Sequence, residues 1–272
     1  MMGTTARAEA GPEIRRLDVL GHRLRAACWR SEGHWRPARP VLVLIHEGLG
    51  CIEFWKDFPA ALRDRTGLDV FAWDRLGYGG SDPAEGPRDT RYLHREANTF
   101  LPAVLAAAGV ARPPILFGHS DGGSIALLHA ASQPVAACVT AAAHVFVEEE
   151  TLAGIRAADR LYRTTDLHAR LARYHGDRTD TVFRRWADTW SAPYFRDWNI
   201  EGELAAIRAP LLAMQGEDDE YGTPAQVEAI VTATGGLAEP VLLPGCGHTP
   251  HREVPEATLE TIARFLERHD LS

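Results

Sequence analysis

The stretch Gly118-His119-Ser120-Asp121-Gly122 decides the fold of this chain. An apolar run with two prolines, Pro113-Pro114-Ile115-Leu116-Phe117, leads into it, and Ser124-Ile125-Ala126-Leu127-Leu128-His129-Ala130-Ala131 follows with helical character. A serine hydroxyl of ordinary acidity is a poor nucleophile, so a chain that uses one holds it on a sharp, exposed turn beside a base. The glycines two before and two after Ser120 permit such a turn, and the small residues around them let strand and helix pack closely. By itself the pentapeptide also describes an ordinary glycine-rich turn between a strand and a helix. The strand, turn and helix together make Ser120 the candidate nucleophile.

At 272 residues and 45% hydrophobic composition, the chain can bury a large core as one domain with room for an insertion. A net charge of -8, with arginines scattered among acidic residues, gives no basic field, so nucleic acid is not an expected partner. Cys28, Cys51, Cys138 and Cys246 lie far apart with no CxxC pairing, which argues against a disulfide framework or a zinc ribbon. Cys246, two residues before a candidate catalytic histidine, reads as a small buried apolar residue. Met1 to Gly11 carries neither an apolar core nor a clustered positive start, and no apolar run reaches bilayer length. A cytoplasmic protein with no membrane partner is expected.

Residues 13–20 and 22–30 alternate as an antiparallel hairpin at a sheet edge. The pattern then changes to short apolar runs: Val41 to Ile45, Leu68 to Trp73, Ile115 to Phe117, Val135 to Ala141, Leu211 to Met214 and Val241 to Leu243. Helical patterns near 54–66, 91–108, 121–133, 224–233 and 256–269 separate or follow them, which predicts an α/β fold with a mostly parallel central sheet flanked by helices. The region 148–206 has no strand pattern, is rich in arginine and holds Trp186, Trp190 and Trp198 with Tyr162, Tyr174, Tyr194 and Phe195. It reads as a helical cap inserted into a core formed by 1–147 and 207–272, some aromatics facing a pocket and others packing on each other.

A serine nucleophile needs a base, the base needs an orienting acid, and in an open α/β sheet all three belong on loops that follow strands. Two later loops qualify. One reads Gln215-Gly216-Glu217-Asp218-Asp219-Glu220 and the other Pro244-Gly245-Cys246-Gly247-His248-Thr249-Pro250-His251. The chain order is therefore serine, acid, histidine.

With those residues in view, the chain resembles the α/β-hydrolase superfamily over nearly its whole length. The markers are His46 to Trp55 after the third strand, Asp74-Arg75-Leu76-Gly77-Tyr78-Gly79-Gly80-Ser81-Asp82 after the fourth, the turn at Ser120, the Gly-Glu-Asp-Asp loop, and Gly247-His248 before a carboxyl-terminal helix. The resemblance implies Asp219, three residues after Gly216, as the acid, with Glu217 and Asp218 as alternatives, and His248 as the base. His251, with Pro250 beside it, is implied to have a surface or pocket-lining role. One oxyanion donor is implied to be the backbone N–H of Asp121 and the other that of Gly48.

At His46-Glu47-Gly48-Leu49-Gly50 the sequence departs from the usual His-Gly pair, placing Glu47 where a glycine is expected. A carboxylate there has several uses: binding a cationic or hydroxyl-bearing substrate, positioning the deacylating water, accepting loop N–H groups, or pairing with an arginine such as Arg75. Glu47, His119, Trp186 and Trp190 are the substrate-binding candidates, while His46 and His119 are implied to orient loops and not to carry protons. His94, His144, His168 and His175 have no metal-ligand spacing, and neither metal nor cofactor is expected.

The resemblance implies a serine hydrolase with small carboxylic esters or lactones as first substrates and thioesters next. The same triad serves carbon–carbon bond hydrolysis of ring-cleavage products, and a ligand-binding protein without turnover is the reading from a different class. Relatives acting on epoxides or haloalkanes carry an aspartate where Ser120 stands. A small-molecule partner is expected, and no coiled-coil or other assembly signature bears on oligomeric state.

Overall fold

The structure, a computed structural model, describes residues 11–30, 34–36 and 38–271, so nearly all of the 1–11 stretch read above lies outside it. Strands β1 (Glu13–Val19) and β2 (His22–Trp29) form the antiparallel hairpin, and both turn residues, Leu20 and Gly21, have positive φ, as a two-residue hairpin turn requires. Strands β3 (Leu42–Ile45), β4 (Val70–Trp73), β5 (Ile115–His119), β6 (Ala137–Ala141), β7 (Leu211–Gly216) and β8 (Ala238–Leu243) are parallel to one another. The sheet of eight strands has the order β1-β2-β4-β3-β5-β6-β7-β8. Every residue of β3 to β7 is buried, because helices cover both faces, and this is why those strands read as unbroken apolar runs.

Helices α1 (Phe58–Thr66), α2 (Tyr92–Arg95), α3 (Leu101–Ala108) and α4 (Asp121–Ser132) flank the first strands. Four more, α5 (Glu149–Thr164), α6 (Leu167–His175), α7 (Thr179–Ser191) and α8 (Glu201–Leu204), lie between β6 and β7; α9 (Ala225–Ala233), α10 (Pro250–Glu253) and α11 (Pro255–Arg268) complete the chain. On one sheet face Leu42, Leu44, Phe117 and Val139 pack with Trp55, Leu62 of α1 and Ile262 and Phe265 of α11. On the other, Val43, Ile45, Leu116 and Cys138 pack against Leu101 and Val104 of α3 and Ile125 and Leu128 of α4. Alternate residues of one strand thus serve two cores.

The excursion between β6 and β7 begins at Glu148, whose carboxylate caps α5 and also accepts the Thr223 N–H at 3.0 Å and Gln226 Nε2 at 2.7 Å. An isolated bridge between Phe146 and Asn199 closes it. From β3 the sheet grows one way through β4 and the other way through β5, so the loops leaving β3 and β5 diverge over a crevice. In open α/β sheets that switch point is where ligands bind.

Candidate active site

Ser120 ends β5 and starts α4 at φ 54°, a left-handed conformation for a residue with a side chain. The glycines around it are required by contact as well as by conformation. A Cβ on Gly118 would lie 2.0 Å from the Gly122 carbonyl oxygen, and one on Gly122 would lie 1.9 Å from that of Ile45. With α4 pressed this closely on β3 and β5, the serine side chain stands at the head of the crevice.

His248 Nε2 lies 3.0 Å from Ser120 Oγ, and His248 Nδ1 lies 2.8 Å from Asp219 Oδ1. Asp219 Oδ1 also accepts the Tyr221 N–H at 2.9 Å, while Glu217 and Asp218 are exposed and turned to solvent. Of the acidic loop residues, Asp219 is therefore the one that reaches the imidazole. His251 is neither at the surface nor on the cavity, contrary to the role expected for it. It is 3% exposed and packs between Trp55 and His119, with ring centroids at 4.7 and 4.9 Å.

Burial opposes ionisation of both Asp219 and His248, and their mutual hydrogen bond and charge outweigh it. Asp219 is held below its ordinary value, helped by the Tyr221 N–H, and His248 is raised above the usual imidazole value. His144, 5.9 Å from His248 between ring centroids, is pushed by burial and by the His248 charge down to about 4 and stays neutral. Cys246 is fully buried and unpaired, and burial pushes its thiol up to about 11.

The opposite wall is the loop after β3. Its Glu47–Gly48 peptide has its carbonyl held by two donors, His46 Nδ1 at 2.8 Å and Arg75 Nη2 at 3.0 Å. His46 Nε2 in turn accepts the Arg75 N–H at 3.1 Å, so the ring orients the loop. His175 does the same one step on, bonding the Leu49 carbonyl at 2.9 Å and accepting the Gly79 N–H at 3.1 Å. The N–H groups of Gly48 and Asp121 have no hydrogen-bond partner among the described residues.

Arg75 does not pair with the Glu47 carboxylate, one of the options raised from sequence; its charge faces the Asp121 carboxylate at 3.5 Å. The Glu47 carboxylate lies 3.4 Å from His119 Nδ1. Burial would raise Glu47, but His119, with His46 and His251, holds it well below the usual carboxylate range. His119 Nε2–H donates to the His248 carbonyl at 2.7 Å, so His119 also fixes the backbone of His248.

Ser120, Asp121, His248, Glu47 and Gly48 share a cavity of about 350 Å³, walled on the far side by Ile155, Ala158, Leu171, Trp186 and Trp190. Trp186 lies directly over Gly48, where a Cβ would come within 2.3 Å of its Cδ1. Trp190 Nε1–H is shared between the Tyr92 hydroxyl at 2.9 Å and Asp121 Oδ1 at 3.2 Å. Trp198 and Phe195 stack behind it at 5.4 Å, and Tyr162 stacks on Phe183 at 3.8 Å, so the region divides its aromatics between cavity wall and its own core.

Several supporting residues carry no local sequence signal. Tyr221, whose ring is 4.6 Å from that of His248, was signalled only by its place after the acidic loop. Tyr92 and the Asp121 carboxylate are joined by contacts between distant segments. Cys51, Glu53 and Asp74 also come together with ligand-type atoms within 4.8 Å of one another. A cation already serves them: Arg25 Nη2 lies 2.5 Å from Glu53 and Nη1 3.4 Å from Asp74, and Asp74 further accepts the Ile52 and Gly80 N–H groups at 2.7 Å each.

Residues 42–261 match the sequence model of a family described as "Alpha/beta hydrolase family". No curated protein matches the chain. Among solved structures, it is similar to a membrane phospholipase A described as a bacterial virulence factor, at 24% identity and TM-score 0.75, covering 96% of this chain and 88% of that one. It is also similar to a proline iminopeptidase from Mycobacterium smegmatis (22% identity, TM-score 0.70, 95% and 99% covered). An enol-lactonase from Burkholderia xenovorans is comparable (21% identity, TM-score 0.70, 93% and 100% covered). At these identities the likeness is one of fold.

Proposed function

Because the chain belongs to the alpha/beta hydrolase family, we propose that it is a cofactor-independent serine hydrolase that cleaves a small carboxylic ester or lactone. The observation that carries this reading is the unbroken relay from Ser120 Oγ through His248 to Asp219, at 3.0 and 2.8 Å. Ser120 attacks the substrate carbonyl while His248 Nε2 takes its proton, and Asp219 holds the ring and stabilises the imidazolium. The oxyanion accepts hydrogen bonds from the Gly48 and Asp121 N–H groups, and each such donor contributes about 3 kcal/mol to a transition state of this kind. The protonated His248 then protonates the leaving alcohol. A water, deprotonated by the same ring, hydrolyses the acyl enzyme.

In this reading 148–206 is a lid over the core formed by 1–147 and 207–272, and Trp186 and Trp190 line the substrate's apolar part. Glu47, ionised beside His119 and facing the cavity, offers an acceptor to a hydroxyl or amine of the substrate close to the reacting carbonyl. A fluorophosphonate probe tests the assignment directly. It should label Ser120, label Ser120→Ala not at all and His248→Ala far more slowly, with turnover of nitrophenyl esters following the same order. Labelling that persists in Ser120→Ala would refute it.

A further inference from the structure

A second cavity, of about 210 Å³, lies between the 76–88 segment that follows β4 and the amino-terminal half of α7. Its charged lining residues are Arg88, Arg178 and Arg185, and no carboxylate is among the residues that line it. None of the three arginines forms an ion pair with another described residue. They hydrogen-bond only neutral groups: Arg178 the carbonyls of Ser81 at 2.7 Å and of Gly79, Arg185 the carbonyl of Ala84 at 2.6 Å, and Arg88 the Tyr78 hydroxyl. Arg88 is only 9% exposed, lies over the Tyr92 ring at 4.5 Å, and its Nη1 has no partner among the described residues.

Around Arg88, Tyr78, Tyr92 and Asp121 favour the charged form and outweigh its burial, but none of them is a carboxylate in contact with the guanidinium. Asp121 and Glu96 are the carboxylates whose fields reach the group, and both also face the fully buried Arg75. Glu85 and Glu96 line a neighbouring cleft on the other side of Arg88 and Arg185. Burial and the charge of Arg88 lower the pKa of Arg185, and Tyr78 and Glu96 offset this only in part. Arg88 is buried and Arg178 and Arg185 are half-buried; a buried cation without an ion-pair partner is costly, and each guanidinium keeps donors to spare after its bonds to neutral oxygens. Thr181 and Val182 of α7 complete the wall.

We propose that this cavity binds a small multivalent oxyanion, a phosphate group, held by Arg88 from the core and by Arg178 and Arg185 from the helical excursion. Planar guanidinium forks match a tetrahedral oxyanion, and the space admits free phosphate or the head of a small phosphate monoester. Such an ion is remote in sequence from the catalytic relay but mechanically close to it. The helix it tethers, α7, carries Trp186 against Gly48 and Trp190 against Asp121. The anion therefore clamps the wall of the first cavity to the core.

The test is a titration of the intact protein with inorganic phosphate, and separately with glycerol phosphate, at ionic strength held constant with sodium chloride. Calorimetry should show one saturable site per chain, and the melting temperature should rise with ligand as linkage requires. Arg178→Gln and Arg185→Gln, made singly so that either can stand if the other misfolds, should each weaken binding about tenfold or more, the loss of a charge-assisted hydrogen bond. Binding of both probes identifies free phosphate as sufficient, and binding of the ester alone assigns the site to esterified phosphate. No heat beyond the chloride control with either probe, or unchanged affinity in both variants, overturns the proposal.

Discussion

Asp219 and His248 each settle the charge state of the other. Because His248 is raised above the ordinary imidazole value by Asp219, the fraction of neutral base grows only as pH passes above about 6.5. The acid limb of the kcat/KM profile should therefore lie above that point. Asp219→Asn removes both the hydrogen bond and the negative charge, so the limb should shift to lower pH while kcat falls about 10⁴-fold, the loss seen when the acid of such a triad becomes an amide. A pH–rate series on the variant and the parent reads both effects; a limb that does not move would disconnect Asp219 from the base. The choice of Asp219 over Asp218 was not legible in the acidic run itself. It rested on the family's spacing from Gly216, whereas the structure distinguishes them by exposure. The partner of the Glu47 carboxylate was equally hidden, since no local pattern links residue 47 to residue 119.

At the scale of elements, the buried strands were the most legible part, because covering both faces leaves a run of apolar residues with no alternation to confuse. Where that condition fails, the pattern no longer marks the element's bounds. Strand β8 begins at Ala238 and not Val241, because an edge strand is half-exposed and tolerates Glu239 and Pro240. The helix read at 91–108 is interrupted over Glu96–Phe100 by a π-helical turn, and the one read at 54–66 is a 3₁₀ turn, Ile52–Trp55, followed by α1. Strands β5 and β7 run on through Gly118-His119 and Gln215-Gly216, polar and small residues that deliver the site loops. The packing of α7 on the loop after β3 was beyond sequence altogether. It gives a direct prediction: Gly48→Ala forces a methyl to 2.3 Å from the Trp186 ring. Helix α7 must retreat or the loop must turn, and either displaces the Gly48 N–H proposed above as an oxyanion donor. We expect ester turnover to drop about 10²-fold or more, with kcat affected more than KM and far-ultraviolet circular dichroism unchanged. Full activity in Gly48→Ala would show that the two elements move apart freely.

The whole molecule should be acid-sensitive for a reason that lies in its histidines. His46, His144 and His251 are buried, and burial lowers the pKa of each below the value it has in the unfolded chain. Between the folded and unfolded values the unfolded chain binds more protons, so stability is lost as pH falls from about 6.5. For His144 alone the window extends to about 4, which corresponds to about 3 kcal/mol at its lower end. His248 acts in the opposite sense: its raised value contributes stability below about 6.5 that is lost as pH rises through the folded pKa. Asp219, held low, contributes above about 3.9 and fails only in stronger acid. His129 and His175 are lowered by burial in the same way, so with five lowered histidines against one raised, urea midpoints should decline steadily between pH 7 and 5; a flat profile would contradict the burial of these rings.

The bridge between Phe146 and Asn199 has one more consequence. Because departure and return are side by side, the excursion hangs from the sheet by a narrow neck. Its length and composition can change without shifting any strand of the sheet. The wall formed by Ile155, Ala158 and Leu171 can therefore vary while the strands keep their register, provided that His175 stays on the Leu49 carbonyl and Trp190 on Asp121.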